Sequence, residues 1–273
     1  MKASETNLQP VIEGTKQYVV PLFQRAYSWD DKQWGTLWED VTALTEEEQP
    51  RDHFIGSIVT MPTDSVPQGV SKFLLIDGQQ RLTTIFILLA LLRDEAKRIP
   101  DSTLAQEIEE TLLTNRFKKG DEIWKLLPTQ ADREAFLQVL TNSGTVQDTR
   151  ISKAATFFRR KLRSQQAPDF ETLKKVIVSN LMLVSIVLHQ DDNPHLIFES
   201  LNAKGRPLSQ ADLIRNYFFM RIHTAQQEQL YETSWEPMQE QLGDALTGAS
   251  GVKVVSECFH RQSIGYSIDK DSR

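Results

Sequence analysis

The feature that most constrains this chain is the run KFLLIDGQQRLTTIFILLALL at residues 72–92. Two apolar segments are separated there by the polar and flexible residues DGQQR, 77–81. The first segment, FLLI at 73–76, has the length of a strand. The second, from about Gln79 to Arg98, is long and contains neither Gly nor Pro. The pattern therefore predicts a strand, a tight turn and a well-buried helix.

The DGQQR turn is a candidate anion site. The first backbone N–H groups of a helix have no internal partners, and the helix dipole adds partial positive charge at the same end. A glycine before the helix permits close approach of a ligand. Arg81 could clamp a phosphate beside these amides, and the hydroxyls of Thr83 and Thr84 could bind the same ligand or a metal.

The same turn also fits a purely structural interpretation. Asp and Gly are common in strand-to-helix connections, and Asp77 could cap the helix. Arg81 could pair with Asp77 and bind no ligand. These residues alone leave both interpretations open, because short motifs often occur without function.

The rest of the chain predicts an α+β fold. Strands are expected at 17–20 and 53–61, and a helix near Ser28, where Ser28 and Asp31 have the spacing of a capping box. Beyond Pro100 amphipathic helices dominate, although NLMLVSIVL at 180–188 predicts a helix end followed by a strand. We expect a small mixed sheet with helices in the N-terminal third, followed by a mainly helical region. The predicted domains are 1–99 and 100–245, with a tail at 246–273.

Composition narrows the classes of function. The chain has 273 residues and a net charge of −6, which argues against coating DNA through bulk charge. The single cysteine, Cys258, excludes an internal disulfide and a Cys-rich zinc site. The N-terminus lacks the apolar region of a signal peptide, and the apolar run after residue 84 is too short to span a bilayer. We therefore expect a cytoplasmic protein with no membrane partner.

Two further polar loops accompany the DGQQR turn. FQRAYSW at 23–29 places Gln24 and Arg25 just after a predicted strand. IFESLNAKGRPLSQADLIRN at 197–216 places Asn202, Lys204 and Gly205 between two predicted helices. Each loop alone is explained by turn and capping chemistry. Three loops rich in Gln, Asn, Lys and Arg together favour a binding site.

Four segments in this order, PLFQRAYSW, HFIGSIV, LIDGQQRLTTI and IFESLNAKGRPLSQADLIRNYFF, resemble the N-terminal domain of GmrSD-like proteins. These are prokaryotic anti-phage restriction factors that act on modified DNA, and the same domain occurs in phosphorothioate-sensing defence proteins. The resemblance covers about residues 8–245. It implies a divergent ParB/sulfiredoxin-like fold and the binding and hydrolysis of a nucleoside triphosphate, with Mg²⁺.

The resemblance also implies roles for individual residues. The expected catalytic residues are Asp77, Gln80 and Arg81, with Asp77 also the expected metal ligand. The expected nucleotide-binding or phosphate-binding residues are Gln24, Arg25, Gly78, Gln79, Thr83, Thr84, Asn202, Lys204 and Gly205. Gln24 and Arg25 are expected to face the DGQQR loop.

One departure from the family concerns the nuclease. Full-length relatives continue into an HNH-type domain, whereas this sequence offers only Cys258 and His260 near its end. We expect DNA as a partner of the chain. We expect the nuclease either on a separate domain or subunit, or missing because the chain is truncated. The alternatives are a non-catalytic DNA-binding module using FFRRKLR (157–163) and RFKK (116–119), a ParB-like nuclease, and an inert remnant that regulates a partner.

Overall fold

The computed structural model describes residues 1–22, 24–63, 69–143, 148–189, 192, 219, 229–235 and 237. The chain forms two compact units. The first contains residues 1–21 and 26–190, and the second contains residues 22–25 and 191–273. In the second unit, Phe219 packs edge-on against Tyr231 and Trp235, with ring centroids 6.3 and 5.9 Å apart.

A six-stranded mixed sheet organises the first unit. The strands are β1 (Lys2–Asn7), β2 (Lys16–Val19), β3 (His53–Pro62), β4 (Ser71–Asp77), β5 (Leu126–Leu127) and β6 (Leu181–Val187). Their order across the sheet is β1-β6-β3-β4-β2-β5. The pairs β1–β6 and β3–β4 are antiparallel, whereas β6–β3, β4–β2 and β2–β5 are parallel.

The described part of the first unit also contains seven α-helices. They are α1 (Leu8–Ile12), α2 (Asp31–Thr45), α3 (Gln79–Ala96), α4 (Leu104–Glu107), α5 (Gln130–Thr141), α6 (Arg150–Leu162) and α7 (Phe170–Ser179). Helix α4 continues into a π-helical turn at Ile108–Leu113, and a 3₁₀ turn spans Gly120–Ile123.

Helix α3 lies at the centre of the core. Every residue from Leu82 to Leu92 is buried, as expected for a helix that is apolar on all sides. It packs against α4, α5, α6 and α7. Arg93, only 2% exposed, pairs with Asp94 at 2.8 Å and also contacts Glu109. The fold therefore fixes the start of α3, and with it the DGQQR turn, against a packed interior.

The sequence predicted most of these elements. The α+β class is confirmed, as are the strand–turn–helix at 72–96 and the change from helix to strand near residue 180. The sheet takes strands from both sides of residue 99, and β1 was not predicted because KASETN has no apolar alternation. The compact units divide the chain near residue 190, whereas the predicted boundary lies at residue 99.

The predicted start of helix α2 was wrong by two residues. Asp30, not Ser28, caps the helix: its carboxylate accepts from the N–H of Lys32, and the side chain of Gln33 accepts from the N–H of Asp30. Aspartate is as good an N-cap residue as serine, and the pair Asp30 and Gln33 forms the capping box in place of Ser28 and Asp31. The two helices predicted on either side of AKGRP (203–207) and the tail at 246–273 lie outside the described residues, apart from Phe219. No helix in the described ranges is long and apolar enough to cross a bilayer.

Candidate functional site

The DGQQR turn joins β4 to α3 through a glycine in the left-handed region. Gly78 has φ +93°, and a Cβ there would lie 2.7 Å from Cγ2 of Ile58 and 3.0 Å from the carbonyl oxygen of Ser57. Strand β3 therefore occupies the space in front of Gly78. The glycine serves the close packing of the turn on β3 rather than the approach of a ligand from that side.

Arg81 lies beside the same strand. Its Nη2 donates to the carbonyl oxygen of Ser57 and lies 3.6 Å from a carboxylate oxygen of Asp77. A Cβ on Gly56 would lie 3.0 Å from Cζ of Arg81, so the guanidinium lies close over the backbone of Gly56. Within the described residues, Nη2 is the guanidinium nitrogen with a hydrogen bond, whereas Nε and Nη1 form none and lie over the backbone of Gly56.

Gln80 fastens the turn to the loop that follows residue 25. Its Oε1 accepts from the N–H of Ser28 at 2.7 Å, and its Nε2 donates to the carbonyl of Ala26 at 3.3 Å. The side chain is only 8% exposed, as is that of Gln79. The geometry thus gives Gln80 a structural role in holding the 26–28 loop, while its predicted catalytic role stays a prediction.

The two predicted hydroxyl ligands are buried, Thr83 to 3% and Thr84 to 0% exposure. Thr84 Oγ1 donates to the carbonyl of Gln80 at 2.7 Å and lies 2.6 Å from the hydroxyl of Tyr27. That hydroxyl accepts from Nε1 of Trp34 at 2.7 Å. Burial raises the pKa of Tyr27, so its hydroxyl keeps its proton and can take part in both hydrogen bonds. Thr84 therefore joins α3 to the Tyr27 loop.

A second bond fixes the same loop from helix α5. The N–H of Tyr27 donates to Oδ2 of Asp132 at 2.7 Å, and Thr129 donates to the same oxygen at 2.6 Å. Burial raises the pKa of Asp132, although both hydrogen bonds act in the opposite direction. Thr129 is the N-cap residue of α5, and its side chain bonds Asp132 rather than a backbone N–H.

Arg81 reaches a pocket between α2, β3 and α3 with a volume of about 300 Å³. Apolar and aromatic side chains form much of its wall, and charged side chains stand among them. The lining residues are Trp29, Lys32, Gln33, Thr36, Leu37, Asp40, His53, Phe54, Ile55, Arg81 and Ile85. Such a mixture of aromatic wall and a few convergent polar groups is typical of a small-molecule site.

Of these eleven lining residues only Arg81 was a predicted site residue, and five polar or charged ones were missed at the level of sequence: Lys32, Gln33, Thr36, Asp40 and His53. Lys32, Thr36 and Asp40 are spaced four apart on α2 and form a polar stripe, which also fits a solvated helix face. His53 begins β3, and its Nε2 lies 3.2 Å from Oδ2 of Asp40. A polar stripe opposite the buried face of α2 was the available signal, but only the fold shows that it faces β3.

Other predicted site residues lie elsewhere. Gln24 and Arg25 belong to the second compact unit, where Gln24 is buried and Arg25 half-buried. Their predicted orientation toward the DGQQR loop stays a prediction. Asn202, Lys204 and Gly205 lie outside the described residues.

The residues near Asp77 do not by themselves build a metal site. Its carboxylate faces the guanidinium of Arg81, whose charge opposes a cation at the same place. No group of three His, Cys, Asp or Glu side chains that could hold a metal occurs among the residues that the structure describes. Magnesium binding at Asp77 stays a prediction, since Mg²⁺ commonly takes one carboxylate together with substrate phosphates.

A family model described as GmrSD restriction endonuclease, N-terminal domain, matches residues 8–219, which is most of the chain. No curated protein matches the sequence.

Proposed function

Because the chain belongs to the family of GmrSD restriction endonuclease N-terminal domains, we propose that it binds and hydrolyses a nucleoside triphosphate within a restriction system. The resemblance seen in the motifs is confirmed by the family match. The ParB/sulfiredoxin-like character of the fold and the action on modified DNA are parts of the proposal, as is a separate nuclease partner.

The observation that carries the proposal is the position of Arg81. The arginine of the DGQQR motif lines the same 300 Å³ pocket as Lys32, Trp29 and Phe54. Two cations suit a polyphosphate, and an arginine whose Nε and Nη1 form no hydrogen bond with the described residues can bind phosphate oxygens in a bidentate manner. Aromatic side chains suit a nucleobase, which they contact through stacking. One pocket thus offers partners for both ends of a nucleotide.

Asp77 and the sheet hold Arg81 ready for this task. The ion pair to Asp77 and the bond to Ser57 fix the guanidinium before a ligand arrives, so little side-chain freedom is lost on binding. A fixed cation beside the transferred phosphoryl group also stabilises charge that develops there during hydrolysis. If Mg²⁺ enters with the nucleotide, it would supply further neutralisation of phosphate charge, and Asp77 stays its predicted ligand.

Nucleotide binding is the first test. Thermal unfolding is recorded with each common ribonucleoside triphosphate, with and without Mg²⁺, because a ligand that binds only the folded state raises the melting temperature. We expect one or more nucleotides to stabilise the wild type, and Lys32→Ala to weaken that effect. Lys119→Ala, an exposed change outside the pocket, is the control. A wild type that no nucleotide stabilises contradicts the proposal.

A second candidate is DNA contact through the turn at 116–119, independent of any nucleotide. Phe117 is 89% exposed and has φ +66°, a backbone conformation that a bulky side chain rarely adopts. Arg116 lies over its ring at 4.9 Å, and Lys118 and Lys119 follow. An exposed aromatic side chain among cations is the arrangement that stacks on bases and contacts phosphates in single-stranded DNA.

The turn is anchored well enough to hold Phe117 outward. Asn115, 4% exposed, donates from Nδ2 to the carbonyls of Lys16 and Glu122 at 2.9 and 3.0 Å. The other basic cluster, 157–163, is partly used inside the protein, since Arg163 pairs with Glu95 at 2.8 Å. Salt-dependent binding of single-stranded DNA that Phe117→Ser weakens would support this candidate. Binding that is absent, or unchanged in Phe117→Ser, contradicts it.

A further inference from the structure

The pocket that contains Arg81 also contains a histidine–carboxylate pair. Nε2 of His53 lies 3.2 Å from Oδ2 of Asp40, and each side chain is about one-third exposed, 32% and 33%. Rigid elements hold both residues. The N–H of His53 donates to the carbonyl of Asn180 at 2.8 Å, and β3 pairs with β6 at this position. Asp40 lies on α2, whose opposite face is buried through Trp34 and Val41.

The contact with Asp40 limits what the imidazole can do. Nε2 is the ring nitrogen that faces the carboxylate, and in a neutral imidazole that carries its hydrogen on Nε2 the proton acceptor is Nδ1. Within the described part of the chain, no hydrogen bond to Nδ1 is formed. The charged groups that share the pocket with His53 are Lys32 and Asp40 on α2 and Arg81 on α3. Two cations for an anionic substrate thus accompany one oriented base.

We propose that His53 is a catalytic general base of this pocket and that Asp40 is its positioning residue, an inference that rests on the proposed nucleotide hydrolysis. Nδ1 of His53 takes a proton from a water molecule whose oxygen attacks the terminal phosphorus. The bond from that phosphorus to the bridging oxygen breaks, and its electron pair stays on the leaving nucleoside diphosphate. Inorganic phosphate is the second product. Arg81 and Lys32 offset the charge on the phosphoryl oxygens.

The pair could instead only tie α2 to β3, and the two roles differ in what they change. A structural link affects melting temperature. A general base affects the rate of hydrolysis and its dependence on pH, because histidine changes charge within the physiological range. The substitutions His53→Asn and Asp40→Asn keep side-chain size and polar character, so they remove the proton chemistry with little loss of packing.

The test measures kcat at saturating nucleoside triphosphate from about pH 5 to about pH 9, and the Kd of a non-hydrolysable analogue. For the wild type we expect kcat to rise with pH, as is usual for a reaction that uses a general base. For His53→Asn we expect kcat to fall by about 100-fold or more, without that rise, while the analogue Kd stays within about twofold. For Asp40→Asn we expect a smaller loss of kcat, with the analogue Kd again within about twofold of the wild type.

The control is His189→Asn, which changes an exposed histidine outside the pocket and should keep the wild-type kcat and pH profile. Melting temperatures show that each variant is folded, and Asp40→Asn gives an independent reading if His53→Asn is not. A folded His53→Asn or Asp40→Asn with the wild-type kcat and pH profile overturns the inference alone. A wild type that hydrolyses no nucleotide overturns the proposed function and this inference together.

Discussion

The Arg81 guanidinium lies 3.6 Å from the Asp77 carboxylate, across the turn that joins strand β4 to helix α3. A cation in the first turn opposes the helix dipole, and the carboxylate offsets that unfavourable contact. The pair also directs Arg81 toward β3, where it donates to Ser57 and reaches the pocket. The ion pair between Arg81 and Asp77 thus has a structural role and also orients the arginine toward the candidate site. The structural interpretation of the turn and the binding interpretation are therefore compatible.

Gly56 provides the space in which the guanidinium of Arg81 lies. Its φ is +114°, and an added Cβ would lie 3.0 Å from Cζ of Arg81. We expect Gly56→Ala to displace Arg81 and to weaken nucleotide binding by about tenfold or more, the effect of losing one charge-assisted hydrogen bond. Isothermal titration calorimetry measures the affinity. Wild-type nucleotide affinity in a folded Gly56→Ala variant would show that Arg81 does not contribute to nucleotide binding.

Gly35→Ala is the matched control for this change. Gly35 lies within α2, and a Cβ there meets no atom within 4 Å. Replacing a mid-helix glycine by alanine should raise the free energy of unfolding by about 0.5–1 kcal/mol and leave nucleotide affinity unchanged.

Thr84 is expected to affect stability and not binding. Thr84→Val removes the bonds to Tyr27 and to the Gln80 carbonyl in a fully buried place, which should lower the free energy of unfolding by about 1–3 kcal/mol. Urea denaturation measures the loss, and calorimetry on the folded variant should give the wild-type nucleotide Kd. A large change in Kd with unchanged stability would restore Thr84 to the predicted set of ligands.

Lys125 should make stability depend on alkaline pH. It is 2% exposed, donates to the carbonyl of Ile12 at 2.9 Å and also bonds that of Gly14. Burial, with a smaller contribution from Lys16, lowers the pKa of Lys125 from 10.5 to about 8. Between these values the unfolded chain binds more protons than the folded one, so stability rises with pH. This contribution to the free energy of unfolding is fully present above 10.5, the pKa of Lys125 in the unfolded chain, and is lost as the pH falls through about 8.

Urea denaturation across this window tests the Lys125 prediction. We expect the wild type to gain about 1–2 kcal/mol in free energy of unfolding between about pH 8 and pH 10. Lys125→Met should be less stable, because two carbonyls lose their donor, and should show a smaller gain with pH. The exposed Lys119→Met should behave as the wild type does. Equal slopes for Lys125→Met and wild type would show that Lys125 is not the cause.

Local signals in the sequence were enough for the strand, turn and helix at 72–96. Apolar length and the absence of Gly and Pro settle those elements without knowledge of the fold. Strand β1 is different, because KASETN becomes a strand only by pairing with β6, about 180 residues later in the chain. Helix α2 shows the limit at boundaries, where Asp30 and Ser28 were both acceptable caps.

The candidate site divides in the same way. Arg81 was predictable, since a cation in the first turn of a helix needs an anionic partner. The hydrogen bonds of Gln80 with the backbone of Ala26 and Ser28 could not be predicted. The partners are more than fifty residues apart in the sequence, and no local pattern marks such a contact. His53 and Asp40 also come together only when β3 lies beside α2, and each alone fits an ordinary strand end or helix face.

The central claim is that Arg81 belongs to a site that hydrolyses nucleoside triphosphate, and phosphate release by purified protein tests it most directly. The wild type should release inorganic phosphate from a nucleoside triphosphate, and Arg81→Ala should reduce that rate by about 100-fold or more. Arg81→Lys, which keeps the charge without the planar fork, should fall between them. Circular dichroism shows whether each variant is folded, since the bond to Ser57 is also lost. A folded Arg81→Ala variant that releases phosphate at the wild-type rate, or a wild type that releases none, would contradict the claim.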